Sequence, residues 1–394
     1  VSVLRRLGAL LIVTAVTLLA AEGIVRVYHA IAPAPAMAPY VPDPDAGYRM
    51  RSAPPDIAAE FPDDHINALG FRDRERTIEK PAGVYRILGI GDSFVYGDVP
   101  IEHNFLRVAE RRLREEPART PGEVEMVLMG VGGYSTENEL GVLRSIGLEM
   151  SPDLVVLNFF VGNDVTGIPT RGAIYRGQLY FVGSRSPALN LLRRSRLFVM
   201  SERVFFVNVR HAVIRWYHRR KAGTPPAEAE DAPAPEAAAE GRRDVVSAGY
   251  MQIQRRSFPV YLAEPDRQMS RLWEEAEGYL LAFDRACREA GVPWILHIIP
   301  SGVQIDQDLR ARVLARLDSP AELYDFDAPH RRLRAFARAQ GITFVDPLAR
   351  MRELHDAHDP LYIPDNTHWS VRGNHISGEA LADFIVEWLH EQGR

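Results

Sequence analysis

Two short stretches of this sequence hold the side-chain types of nucleophilic catalysis. The apolar run Val84, Tyr85, Ile87, Leu88 and Ile90 ends abruptly at Gly91-Asp92-Ser93. Such a run reads as a buried parallel strand, and the carboxyl end of such a strand is where open α/β sheets bind ligands. Far downstream, Asp365-Asn366-Thr367-His368-Trp369 places a carboxylate three residues before an imidazole. A serine hydroxyl is a weak nucleophile until an adjacent base takes its proton. Ser93 is therefore expected as nucleophile and His368 as general base. Asp365 is expected to accept the other imidazole proton, fixing the tautomer and stabilising the imidazolium. Three residues of separation in a turn permit that contact.

Two further blocks lie between them. Val127–Thr136 (VLMGVGGYST) sets glycines after a second apolar run, and Leu154–Asp164 (LVVLNFFVGND) sets Gly162-Asn163-Asp164 after a third. In order and register the four blocks resemble those of the SGNH (GDSL-like) hydrolase family. The likeness covers 84–164 and 291–390, about half of the chain. The approach Asn67-Ala68-Leu69-Gly70-Phe71-Arg72, then Tyr85-Arg86-Ile87-Leu88, also resembles a bacterial branch with an N-terminal membrane anchor. The resemblance implies a flavodoxin-like three-layer α/β/α fold with a central parallel sheet. It also implies three oxyanion donors: the Ser93 and Gly133 backbone N–H groups and the Asn163 side-chain amide. Gly132 rivals Gly133 for the second. Glycine lets backbone approach a substrate, and an Asn amide donates without a titrating charge. The sequence departs from the family at Val161, where a glycine is usual in the third block, and at Leu128, where the second block often has Asn.

Other candidates read as structural. Asp92 and Asp164 flank catalytic positions and are expected to brace their loops. His355, Asp356, His358 and Asp359 have metal-ligating types, but no helical i, i+4 pair, and read as a polar surface loop. Cys287, the single cysteine, excludes an intrachain disulfide and reads as a small buried apolar residue. No phosphate-binding glycine loop followed by Lys and Ser/Thr occurs, and no cofactor is expected. With 46% hydrophobic and 25% charged residues the composition is that of a globular protein. A net charge of −5 gives no sign of nucleic-acid binding.

Positioning these residues requires a layered α/β body. Strands are predicted at Tyr85–Ile90, Val124–Met129, Leu154–Phe159, Trp294–Ile299 and Thr343–Val345. Helices are predicted at Asn104–Glu115, Thr136–Leu148, Arg267–Ala290, Pro329–Gln340 and Val371–Glu391. This alternation argues for a parallel sheet covered on both faces. Ahead of it, Leu7–Val25 gives about 19 mostly apolar residues, near the ~20 that span a bilayer. Arg5 and Arg6 favour an N-terminus on the cytoplasmic side, with the body extracytoplasmic. An uncleaved anchor is expected over 1–27, a tether and N-terminal extension over 28–83, and the hydrolase domain over 84–394. Within 28–83, Ala32–Pro44 reads as an extended, proline-rich tether.

The alternation breaks at an insertion of about 100 residues, 165–265. Inside it, 223–241 is rich in Ala, Pro and Glu and is expected to be disordered. Leu191–Lys221 is apolar and aromatic, with nine Arg/Lys against one acid. It reads either as a core-packing helix pair with a solvated basic face, or as a basic amphipathic surface lying on anionic lipid or docking a membrane partner.

The expected function is a membrane-anchored, extracytoplasmic serine hydrolase. Its expected substrate is an acylated small molecule, glycan or lipid, with an O-acyl group on a cell-envelope glycan or lipid expected first. The same residues could pass the acyl group to a sugar hydroxyl, and an idle glycan-binding or assembly subunit is the third reading.

Overall fold

In the computed structural model Ser2–Ile31 forms one helix of 30 residues. At ~1.5 Å per residue such a helix outreaches a ~30 Å hydrocarbon core. Its segment Gly8–Tyr28 is long and apolar enough to cross a membrane, and Leu10, Ile12, Val16, Leu19 and Ile24 stand exposed along it. The structure describes residues 2–31, 39–168, 170–175, 178–183, 192, 195–203 and 246–393. The low-complexity stretch 223–241 and most of Leu191–Lys221 lie outside the described residues. The chain divides into two units, Val1–Pro39 with Ile174–Arg242 and Tyr40–Ala173 with Arg243–Arg394.

In the first unit, Arg196–Arg203 is helical. Its opening turn is capped by an acid of the apolar helix. Glu22 accepts from Ser195 Oγ at 2.7 Å and from Leu197 N at 2.8 Å. Four unsatisfied N–H groups at a helix start make such a carboxylate favourable.

The second unit opens with an antiparallel pair, β1 (Tyr40–Asp43) and β2 (Gly47–Met50). The proline-rich stretch expected as a tether to Pro44 is thus already sheet from Tyr40. Asp43 turns the chain by accepting from the N–H groups of Asp45 and Ala46. This local hydrogen bonding offers the backbone an alternative to extension.

The central sheet holds β3 (Val84–Gly91), β4 (Glu123–Gly130) and β5 (Leu154–Phe160). After a separate two-stranded sheet, β6 (Thr170–Tyr175) and β7 (Gln178–Gly183), it is completed by β8 (Trp294–Ile299) and β9 (Thr343–Val345). The spatial order is β4-β3-β5-β8-β9, parallel throughout. Counted within this sheet, that is the flavodoxin-like order 2-1-3-4-5, which places its switch point between the first and third strands. Ser93 leaves the first of these and Asn163 follows the third.

Burial explains the covering helices. Arg267–Glu289 starts at Asp266, which accepts from Met269 N, and buries Met269, Trp273, Ala276, Leu280, Phe283 and Cys287. Their three- and four-residue spacing makes one apolar face. Burial also pushes the Cys287 thiol up to about 12, so it is not a ready nucleophile. The predicted Thr136–Leu148 helix is α-helical only to Val142, then widens to a π-turn over Leu143–Gly147 and tightens over Leu148–Met150.

The edge strand β4 is closed by charge. Leu128 N donates to Asp73 and Met126 N to Glu110, both at 3.1 Å. The Met126 carbonyl accepts from Arg76 and Arg107, both at 2.9 Å. Side chains thus occupy backbone groups that would otherwise template another strand.

Candidate active site

β3 delivers Ser93 through a sharp turn. Asp92 caps the single-turn helix Ser93–Tyr96, accepting from Phe94 N at 2.9 Å. The turn fits only because its neighbour has no side chain: a Cβ on Gly130 would lie 2.4 Å from Val95 Cβ and 2.6 Å from Tyr96 N. Ser93 is left half-buried at the carboxyl end of the sheet.

His368 arrives from the far end of the chain, 2.7 Å from Ser93 Oγ through its Nε2. Its turn is fixed on both sides. Ile363 N donates to the His368 carbonyl at 3.0 Å, and the buried Trp369 indole donates to Tyr362 Oη at 2.9 Å. Phe94 packs on the imidazole and on Trp369, with centroids 5.2 and 4.9 Å away. The serine's own neighbour therefore helps to orient the ring.

The expected Asp365 contact is not the one found. His368 Nδ1 lies 2.8 Å from Asn366 Oδ1 and 2.9 Å from Asp98 Oδ2. Asp365 sits at φ +58°, a left-handed conformation that Asp tolerates better than most residues. Its carboxylate accepts from Ser247 N at 2.7 Å, at the start of helix Ala248–Ser257. The spacing Asp-x-x-His was compatible with a contact in a turn; the actual turn directs that acid elsewhere. Asp98 was missed, and its signal was faint: an acid just after Gly97, where the helix Ser93–Tyr96 ends.

The glycine block forms a braced loop. Tyr48 Oη donates to the Gly132 carbonyl at 3.1 Å, and Tyr134 Oη donates to the Tyr48 carbonyl. Gly133 has φ +79° and lies exposed between these anchors. A residue with a Cβ would be strained there. Among the described residues, neither Ser93 N–H nor Gly133 N–H makes a hydrogen bond. Asn163, half-buried, reaches the Tyr134 carbonyl through Nδ2 at only 3.4 Å.

Behind these loops lie three fully buried carboxyls. Asp164 accepts from Phe160 N at 2.7 Å, and its carbonyl accepts from Thr136 Oγ1 at 3.0 Å, tying the third block to the second. Glu139 has no hydrogen-bond partner for either carboxyl oxygen among the described residues. Burial, and then their mutual repulsion and that of Asp92, raises Asp164 and Glu139 well above the usual carboxylate range. Burial also raises Asp92, against the lowering pull of Phe94 N–H, His368 and the Asn163 amide. Asp98 contrasts with all three. Its hydrogen bond to His368, outweighing partial burial, brings it down to about 2.

The remaining candidates stay outside this constellation. Asp356 caps His358 within an exposed turn bridged to Asp359, and no group of three metal-ligating side chains is found among the described residues. His297 is a core histidine between Asn158 and Ser377, and burial lowers it to about 3.

No protein-family model matches the chain, and no curated protein does. Solved structures with related shape are an acetyl xylan esterase, a lipase/acylhydrolase from Enterococcus faecalis and a GDSL-like lipase from Bacteroides thetaiotaomicron. Identities to this chain are 12%, 14% and 10%, with TM-scores of 0.39, 0.36 and 0.35. The matches cover 76%, 77% and 78% of this chain, and 99%, 95% and 89% of theirs. The fold is defined here by strand order and register, independently of these likenesses.

Proposed function

We propose that this chain is an SGNH-type serine hydrolase that cleaves carboxylic esters through an acyl-enzyme. The single observation that carries the reading is the 2.7 Å approach of Ser93 Oγ to His368 Nε2, between residues 275 positions apart. Fold, loops and turns all converge on that contact. His368 takes the Ser93 proton as Oγ attacks the acyl carbonyl. The oxyanion is received by the Ser93 and Gly133 N–H groups and the Asn163 amide. Collapse expels the alcohol, which takes the proton from His368. Water then repeats the sequence on the acyl-enzyme, releasing the acid and restoring Ser93.

The substrate class we favour is an O-acyl group on a cell-envelope glycan or lipid. The apolar helix Gly8–Tyr28 supports membrane attachment, and Arg5 and Arg6 support a catalytic unit on the extracytoplasmic side. The test presents the purified full-length protein with 4-nitrophenyl esters of short and long acyl chains, with and without an oligosaccharide acceptor. Ester turnover that disappears in Ser93→Ala is expected. Acyl-oligosaccharide accumulating in place of free acid would reassign the activity to transfer. Turnover undiminished in Ser93→Ala would overturn the reading.

A further inference from the structure

The carboxylate nearest His368 is not the one its local sequence suggests. Nδ1 carries one hydrogen in the tautomer that leaves Nε2 free to accept from Ser93. That hydrogen faces Asp98 Oδ2 at 2.9 Å and Asn366 Oδ1 at 2.8 Å. Asn366 closes the ring by donating through Nδ2 to the same Asp98 oxygen at 3.0 Å. Its Oδ1 also accepts from the His368 backbone N–H at 3.1 Å. Imidazole, amide and carboxylate therefore hold one another in a planar-group cluster at the mouth of the site.

The loop presenting Asp98 is itself clamped. Arg72 donates to the carbonyls of Tyr96, Gly97 and Val99 at 3.2, 2.7 and 3.1 Å. The same guanidinium grips Asp64 through two bonds of 2.6 and 2.8 Å. A planar fork of five donors suits this task, and lysine could not reproduce it. The stretch ending in Phe71-Arg72 thus fixes the backbone on both sides of Asp98.

Asp365 has a different employment. Its bond to Ser247 N pins the start of a helix that follows the insertion.

We propose that Asp98, rather than Asp365, is the residue that positions His368 and balances its charge during the reaction, with Asn366 and Arg72 holding Asp98 in place. This assignment rests on the reading of Ser93 and His368 given above. During attack the imidazole becomes imidazolium, and a carboxylate on its Nδ1 side favours that form. The charged groups facing the pair are few. Asp92 lies behind the imidazole, Arg72 lies beside Asp98, and Asp64 neutralises Arg72.

The experiment measures kcat and KM for 4-nitrophenyl acetate across pH in the full-length wild type, Asp98→Asn, Asp98→Glu and Asp365→Asn. Asp98 is exposed, so its replacement by Asn leaves the core untouched. Asp98→Asn is expected to lower kcat on the order of 10²–10⁴-fold, the upper end being that of buried triads. KM should change little. The acidic limb of kcat/KM should move to lower pH, because the imidazolium has lost its carboxylate. A residue that merely shaped the loop would leave that limb in place. Asp98→Glu should recover part of kcat, and Asp365→Asn should stay within a few fold of wild type. Near-wild-type kcat and an unmoved limb in Asp98→Asn would overturn the assignment, as would a large loss in Asp365→Asn instead. Absent ester turnover together with an unreactive Ser93 in the wild type would remove the hydrolase reading itself, and this assignment with it.

Discussion

The three carboxyls behind Ser93 and the one in front of it are shifted in opposite directions by opposite surroundings. Asp92, Glu139 and Asp164 are sealed in the core, where burial raises all three, and repulsion from neighbouring carboxyls adds to it at Glu139 and Asp164. Asp98 stands at the open side, where the His368 hydrogen bond keeps it ionised. Position, rather than residue type, thus divides the acids near Ser93. The buried set builds loops: Asp92 caps the helix Ser93–Tyr96, and Asp164 ties strand end to glycine block. Only the outer acid presents a negative charge to the imidazole's Nδ1.

Asn163 lies between the two sets, its amide beside Asp92 and its backbone joined to Asp164's turn. Asn163→Ala therefore breaks the comparison most sharply. If the amide receives the oxyanion, kcat for an acyl ester should fall roughly 10²–10³-fold with KM nearly unchanged. A loss of thermal stability with kcat preserved would instead assign Asn163 to the buried, loop-building set.

Glu139 sharpens the other side, with a smaller effect. A carboxyl whose folded value is raised favours the folded state fully below its unfolded value, ~4.3. That contribution is lost as pH rises through the folded value. Glu139→Gln replaces the carboxyl by a neutral group of the same shape. Its melting temperature should decline less than the wild type's between about pH 5 and pH 9, while ester turnover at neutral pH stays close to wild type. Parallel declines in the two proteins would show that Glu139 is ionised in the fold.

Much of this arrangement is legible in the amino-acid sequence. Each of the five strands of the central sheet was an apolar run ended by turn residues, so the pattern placed Ser93 at a strand end, while Gly133, with Gly132 as rival, and Asn163 came from the resemblance of their blocks to the family. His368 was legible because Asp365-Asn366-Thr367-His368-Trp369 combines an acid, an imidazole and a spacing that resembles the family's last block. What stayed hidden depends on contacts between distant segments. Asp98 looks like a loop acid until the chain near residue 368 folds back upon it. Asp365 looks like the partner of His368 until its positive φ turns it to Ser247. The β1–β2 pair was obscured by its prolines, which read as a tether although Tyr48 braces the Gly132 carbonyl. Glu139 is unremarkable as a helical acid, and only burial reveals its state.

The central claim is that Ser93 is activated by His368, and covalent labelling tests it without knowledge of the natural substrate. Full-length protein treated with a fluorophosphonate should gain one adduct, located by peptide mass on Ser93. The adduct should be absent in Ser93→Ala, and should form much more slowly in His368→Ala, where no base takes the serine proton. Labelling at another residue, or equal labelling rates in wild type and His368→Ala, would contradict the account.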